Sequence, residues 1–484
     1  MSNLDIQFIV PEIILMGAAI VVLATGLMAV HPHARGDESN KRLPGLLALL
    51  GVTAALFSLS CASGVAGSFF YGMLVNDGLA VFFRTISLLI AGLVILLSME
   101  YKDLDDDERG EYYFFILVIT LSMMLASASR SLVMIYITLE AISLLSYILA
   151  GYLKRDMFSS EAGLKYFLFG ALSTGVTLYG ISLVYGLFGT LDLASIAASL
   201  VAHAASQPAA LLAFLLVLAG FGFKCSLVPF HMWTPDVYQG APTPAAAFFS
   251  VGPKAIGFVF ILRVFVQTLQ PALAAYWPFV LAVMAALTMT IGNVIAIRQD
   301  NIKRLLAYST IAQAGYILIG LAAGTAAGVQ AVLFYLFIYM LMNLGAFAAV
   351  VVVSNTIKTE MVAGYVGLYK RAPFLAVVLA AALLSLAGMP PSAGFLAKFF
   401  VFAAAVEKGL IGLVIVAALN SVVALYYYLR IIKVSFFNEP EENAAIPSSR
   451  GMTLTLSLIL SAILFLGLWP HPVIHWLENL LRPV

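Results

Sequence analysis

Three lysines stand in apolar surroundings. Lys224 lies in the run Leu218-Ala-Gly-Phe-Gly-Phe-Lys224-Cys, Lys254 near the middle of the next apolar stretch, and Lys398 in Phe395-Leu-Ala-Lys398-Phe. Pro229 follows Lys224 closely, and Pro390-Pro391 precedes Lys398. A charged residue at mid-membrane costs about 2.5–3.5 kcal/mol on insertion scales and marks function more often than packing. A proline inside a spanning helix frees carbonyls that lipid cannot satisfy, which is tolerable where the break is wrapped in protein or lines a wet cavity. The chemistry open to such groups is proton transfer. Burial disfavours the charged form of lysine, and a carboxylate alongside restores it. Glu140, central in Ile137-Thr-Leu-Glu140-Ala-Ile, is the candidate carboxylate. A Glu140–Lys224 contact would hold the lysine protonated, and separating the two would make it release its proton. Lys254 could pass that proton laterally and Lys398 could lead it outward. The competing reading is a set of structural ion pairs.

Other side chains have two readings each. Glu161 and Lys165 are spaced i, i+4 with the acid first, the favourable order for a helical ion pair. They serve either as that pair or in proton uptake. His231, Trp233 and Asp236 follow Pro229. There the two polar groups would satisfy the freed backbone while Trp233 packs, or all three would join the relay. Tyr308 could polarise a proton chain or satisfy a helix contact. Arg84 is a structural tie or a relay member.

The elements that must hold these residues are membrane helices. Of 484 residues, 62% are hydrophobic and 10% charged, with mean hydropathy +1.03. A soluble chain carries about a quarter charged residues. A spanning helix needs about 20 mostly apolar residues. Fourteen segments qualify: 10–30, 43–63, 76–99, 111–129, 131–151, 161–188, 209–240, 243–269, 274–297, 303–324, 328–354, 374–408, 409–437 and 451–471. The seventh and twelfth are too long for one crossing, and they contain Pro229 and Pro390-Pro391. The expected fold is an all-α polytopic membrane protein of about fourteen helices.

Alternate loops hold sixteen of the 25 basic residues, among them Arg35, Lys41, Lys154, Arg298, Lys303, Arg304, Lys370 and Arg450. The opposite loops and terminus hold only Arg130, Lys408 and Arg482. By the positive-inside rule the first set is cytoplasmic and both termini face outward, as an even number of crossings requires. The broken helices lie five helices apart, so two five-helix repeats are expected, the second inverted, each with a discontinuous helix; this is a transporter signature. The division is then 1–110 as a three-helix segment, 111–269 and 274–437 as the repeats, and 451–484 as a last helix. The N-terminal MSNLDIQF has no basic residue, so the first helix is expected to be retained. The acidic loop Asp103–Glu108 reads as a solvated turn.

Cys61 and Cys225 sit apart in apolar runs, and the six histidines, His31 and His33 included, show no metal-ligand spacing. There is no G-x-G-x-x-G, phosphate-binding loop or haem signature, so any redox cofactor is expected on another subunit. A net charge of +1 argues against nucleic acid as a partner.

The run Pro229-Phe-His-Met-Trp-Thr-Pro-Asp-Val-Tyr-Gln-Gly-Ala-Pro-Thr-Pro244, with Lys254 after it, resembles the antiporter-like membrane subunits of respiratory complex I, the NADH–quinone oxidoreductase. Asn301-Ile-Lys-Arg-Leu-Leu-Ala-Tyr308-Ser-Thr-Ile-Ala-Gln-Ala-Gly-Tyr316 and Gly388-Met-Pro-Pro-Ser-Ala-Gly-Phe-Leu-Ala-Lys398 support the likeness, which extends over the full length. The resemblance implies fourteen helices, two inverted repeats and a proton channel in the membrane arm. It implies relay roles for Glu140, Lys165, Lys224, Lys254 and Lys398. Sister subunits and Mrp-type antiporters have Trp-Leu-Pro and an early eighth-helix histidine, where this chain reads Trp233-Thr-Pro235 and Phe248-Phe-Ser250. It also implies flavin mononucleotide and iron–sulfur clusters on partner subunits, and neighbouring antiporter-like and small membrane subunits as partners. The quinone pool would be met through the complex, in a bacterial inner membrane.

Two other function classes compete. One is a subunit of an Mrp-type sodium/proton antiporter or a membrane-bound hydrogenase, which would copurify without flavin. The other is a non-transporting spacer, which predicts that Lys224→Ala leaves pumping intact.

Overall fold

Apolar runs become helices almost end to end, because inside a bilayer the backbone must satisfy its own hydrogen bonds. The computed structural model describes residues 3–29, 38–62, 67–202, 207–269, 274, 276–440 and 444–482. His31, His33 and Arg35 lie outside the described residues. The helices are α1 (Asn3–Ala29), α2 (Glu38–Ala62), α3 (Gly78–Met99), α4 (Arg109–Ser127), α5 (Leu132–Ala150), α6 (Met157–Phe188), α7 (Leu193–Ala202), α8 (Gln207–Cys225), α9 (Trp233–Gly240), α10 (Thr243–Ile261), α11 (Trp277–Ala296), α12 (Ile302–Ala323), α13 (Ala326–Ile357), α14 (Leu368–Arg371), α15 (Pro373–Ala387), α16 (Ala393–Glu407), α17 (Ile411–Phe437), α18 (Arg450–Leu468) and α19 (His471–Leu481). One antiparallel ribbon, β1 (Gly67–Phe69) with β2 (Leu74–Asn76), precedes α3.

Among the described residues, thirteen helices are long and apolar enough to cross a membrane. The twelfth expected segment is two halves, α15 and α16, of 15 residues each. At 1.5 Å per residue neither half spans the roughly 30 Å hydrocarbon core alone. The seventh expected segment is likewise α8, a break, and α9.

The chain divides into two compact units, one of residues 1–221, 252–272 and 480–484, the other of 222–251 and 273–479. In the first, α1 to α4 pack on one another. Gly26 and Gly110 let α1 and α4 approach closely: a Cβ on Gly26 would meet the Gly110 Cα at 2.6 Å. Arg84 is fully buried there. Its Nε donates to Glu12 Oε1 at 2.8 Å and its Nη2 to the Phe8 carbonyl at 2.8 Å, and its guanidinium lies 4.5 Å from the Phe8 ring centroid. Arg84 is therefore a structural tie from α3 to α1.

In the second unit the apolar span of α12 is buried throughout and that of α13 over most of its length. The helices α11, α9 and α16 pack on α12, and α15 and α16 pack on α13. Side-chain caps fix the helix starts: Asn301 accepts from the Arg304 amide at 3.0 Å and Thr325 from the Gly328 amide at 3.0 Å.

Candidate proton-transfer site

A helix end leaves its last four carbonyls without intrahelical partners, and in a membrane each must find another. At the end of α15 all four are accounted for. Gly388, in the left-handed conformation at φ 82°, brings its amide to Leu384 and Ser385 at 3.0 Å each. The next two carbonyls take side chains from elsewhere in the second unit. Gln313 Nε2 donates to Leu386 O at 2.8 Å, and Lys398 Nζ donates to Ala387 O at 2.9 Å. The helix C-terminus carries partial negative charge, which favours a cation there. Lys398 also reaches Ser421 Oγ at 3.4 Å and lies 4.3 Å from the Tyr316 ring centroid. Among the described residues it has no carboxylate partner.

The first break is built in the same unit. Lys224 sits in the last turn of α8, again at a carbonyl end, and is 3% exposed. The Phe223 carbonyl accepts from the Ser226 amide at 3.1 Å and from the Trp233 indole at 3.0 Å. The Val228 amide donates to Thr288 Oγ1 at 3.0 Å, and Thr234 Oγ1 to Ser226 Oγ at 2.8 Å. Pro229 lies in this turn and His231 is buried beside it. The freed backbone is thus held by Trp233 and Thr288. Asp236 pairs instead with Arg304 at 2.6 Å. Lys303 is buried too. It donates to the Ala241 carbonyl at 2.9 Å and meets Glu360 at 2.6 Å, so both basic residues at the start of α12 clamp α9.

The first unit holds the remaining candidates. Lys254 is 1% exposed on α10, directly after Pro253. Glu140 is half-buried on α5 and accepts from Thr174 Oγ1 of α6 at 2.6 Å. Lys165 and Glu161 form their i, i+4 pair at 2.7 Å with both side chains substantially exposed. Three of the five lysine and glutamate candidates are therefore buried in this chain, and two are not.

Sequence reasoning missed a polar junction around Lys398. Asn293 of α11 donates to the Tyr316 hydroxyl at 3.1 Å and to Asn420 Oδ1 at 3.2 Å, and accepts from Tyr427 at 3.0 Å. Gln313 accepts from Tyr335 and donates to Tyr428 at 3.4 Å. Tyr308, the tyrosine singled out from sequence, is buried on α12. The signal available was the recurrence of Asn, Gln and Tyr inside otherwise apolar helices. Among the described residues no group of three or more His, Cys, Asp or Glu could hold a metal.

Two broken helices, each with a buried lysine at a carbonyl end, are the fold of a known group. A family model for the membrane domain of NADH:quinone oxidoreductase and Mrp antiporters matches residues 129–424. The chain belongs to this family. It is 42% identical over 491 residues to NADH-quinone oxidoreductase subunit N of Trichlorobacter lovleyi, covering 99% of this chain and 98% of that protein. It is 44% identical over 444 residues to NAD(P)H-quinone oxidoreductase subunit 2 of Synechococcus elongatus, covering 91% and 83%. Among solved structures it is similar to a chain of respiratory complex I from Thermus thermophilus with bound aureothin, with TM-score 0.81, 35% identity, and coverage of 96% of this chain and 98% of that one. A chain of the Mrp complex from Dietzia sp., 21% identical, has the same fold, with TM-score 0.84 and coverage of 99% and 97%.

Proposed function

We propose that this chain is a proton-translocating membrane subunit of a respiratory NADH–quinone oxidoreductase. Flavin and iron–sulfur chemistry and quinone reduction belong to partner subunits, and this chain moves protons in response. The carrying observation is the pair of buried lysines, Lys224 and Lys398, each set at the carbonyl end of a half-helix. A carbonyl end favours an ammonium, and at Lys398, which has no carboxylate partner among the described residues, the proton can be held and also given up. Glu140, Lys165, Lys224, Lys254 and Lys398 are its proton-bearing groups. Glu161 is the partner of Lys165, Pro229 and Pro390 are the breaks that let α8 and α15 end inside the membrane, and His231 and Tyr308 lie along the route.

The two repeats, 111–269 and 274–437, are the working units in this reading. A broken helix in each supports it, and five crossings per repeat set the second upside down. The chain lies in the bacterial inner membrane with both termini outside. It packs against other antiporter-like and small membrane subunits.

The test is affinity purification of the tagged native protein in mild detergent. Flavin, iron–sulfur absorbance and NADH–quinone activity should travel with it. Copurification of membrane subunits alone, without redox centres, replaces this reading with that of an Mrp-type antiporter.

A further inference from the structure

The polar junction behind Lys398 joins residues from four helices, α11, α12, α13 and α17, and nothing in the relay reading requires it. Asn293 is fully buried, and its amide is engaged on both sides: Nδ2 donates to Tyr316 and Asn420, and Oδ1 accepts from Tyr427. Asn420 in turn donates to Thr290 Oγ1 at 3.1 Å. A buried amide so fully satisfied costs more to disturb than an exposed one and fixes its neighbours' orientation. What it fixes here is Tyr316. The hydroxyl end of that ring is tied to Asn293, and the ring itself carries Lys398 Nζ at 4.3 Å. A cation within about 6 Å of a ring centroid is attracted to its face.

We propose that Tyr316 is a positioning residue for Lys398: its ring steadies the ammonium and Asn293 holds the ring, so the pair sets how firmly Lys398 keeps its proton. The inference rests on the relay role of Lys398. Of the titratable groups on the helices packed against α16, Tyr316 of α12 places its ring against Lys398. The others are Lys303, Arg304 and Tyr308 on α12, Tyr335 and Tyr339 on α13, and Tyr426, Tyr427, Tyr428, Arg430 and Lys433 on α17. The helix α15 has no titratable side chain, α18 has only Arg450 at its first residue, and on α16 itself Glu407 is at the far end. With no carboxylate near it among the described residues, loss of the ring leaves the helix end and Ser421 to stabilise the charge.

The experiment uses the whole complex carrying each variant, reconstituted in liposomes, with proton uptake per NADH oxidised followed from neutral to alkaline pH. Tyr316→Leu should move the alkaline limb to lower pH by about 0.5–1 unit, the shift that losing one cation–π contact implies. Tyr316→Phe keeps the ring and should move it less. Asn293→Leu, which keeps Tyr316 and frees it, should shift the limb in the same direction and serves if Tyr316→Leu does not assemble. An unshifted limb in the assembled variants overturns the proposal, as does a Tyr316→Phe shift equal to that of Tyr316→Leu. Lys398→Ala separates the two failures. Wild-type pumping there removes the relay reading and this proposal with it. Lost pumping there, beside an unshifted Tyr316→Leu profile, removes this proposal alone.

Discussion

The indole nitrogen of Trp233 donates to the carbonyl of Phe223, 3.0 Å away and ten residues back along the chain. The bond closes the turn around Pro229 and fixes the residue that precedes Lys224. Trp233→Phe keeps the apolar ring and removes the donor. The ring also packs on Phe223, with centroids 5.2 Å apart. The Phe223 carbonyl keeps the Ser226 amide, so the loss is that of one buried hydrogen bond, about 0.5–1.5 kcal/mol. The expected outcome is a lower unfolding temperature of the purified complex, with Trp233→Ala lower still. An unchanged melting curve for Trp233→Phe would remove this bond from the account of the break.

Arg84 and Glu12 give the largest expected structural loss. Both are buried, at 0% and 5% exposed. Removing one partner strands the other charge, which costs about 3–5 kcal/mol. Glu12→Gln should cut the amount of assembled complex recovered from membranes. The double variant Glu12→Leu with Arg84→Leu should recover part of it, because no lone charge remains. Equal recovery of Glu12→Gln and wild type would contradict the pairing.

Asp236 and Arg304 make a contrasting case. Their ion pair is as short, at 2.6 Å, yet both side chains are about one-third exposed. Water screens such a pair, whose worth is about 0–1 kcal/mol. Asp236→Asn should therefore assemble and pump at close to the wild-type rate. A collapse of assembly in that variant would show that the clamp on α9 depends on this carboxylate.

Asp77 supplies a pH dependence outside the spanning helices. Burial pushes its carboxyl upward, but the Arg263 guanidinium, at 2.8 and 3.0 Å, together with backbone amides holds it below the ordinary value of 3.8. Its amide bond from Ala80 acts the same way. A depressed carboxylate contributes stability that is present above its unfolded value and is lost as pH falls through the folded one. The wild-type complex should thus lose thermal stability in acid below about pH 4, and Asp77→Asn should be less stable at neutral pH with a weaker acid dependence. Parallel curves for the two proteins would contradict this.

Much of the architecture was legible because membranes permit few solutions. Apolar runs near 20 residues gave the helices, and Pro229 and Pro390 gave the breaks. Lys224, Lys254 and Lys398 stood out because charge is rare in such runs. Their partners did not stand out. Glu12 is one acid near a proline in the first helix, and only tertiary packing brings Arg84 to it. Asn293, Gln313 and Tyr316 carry no periodic signal, since an uncharged polar side chain costs too little to be conspicuous. Lys303 and Arg304 read as loop charges, while in the fold they clamp α9. A basic pair at a helix N-terminus opposes the helix dipole, and that was the available hint.

The central claim is that buried ionisable groups of this chain carry protons during quinone reduction. The most direct measurement is proton uptake per NADH oxidised in liposomes containing the complex with Lys224→Ala or Glu140→Gln, with assembly checked by native gel. The account predicts assembled complexes in which both coupled turnover and proton uptake fall well below wild type. Wild-type turnover and uptake in both assembled variants would contradict it.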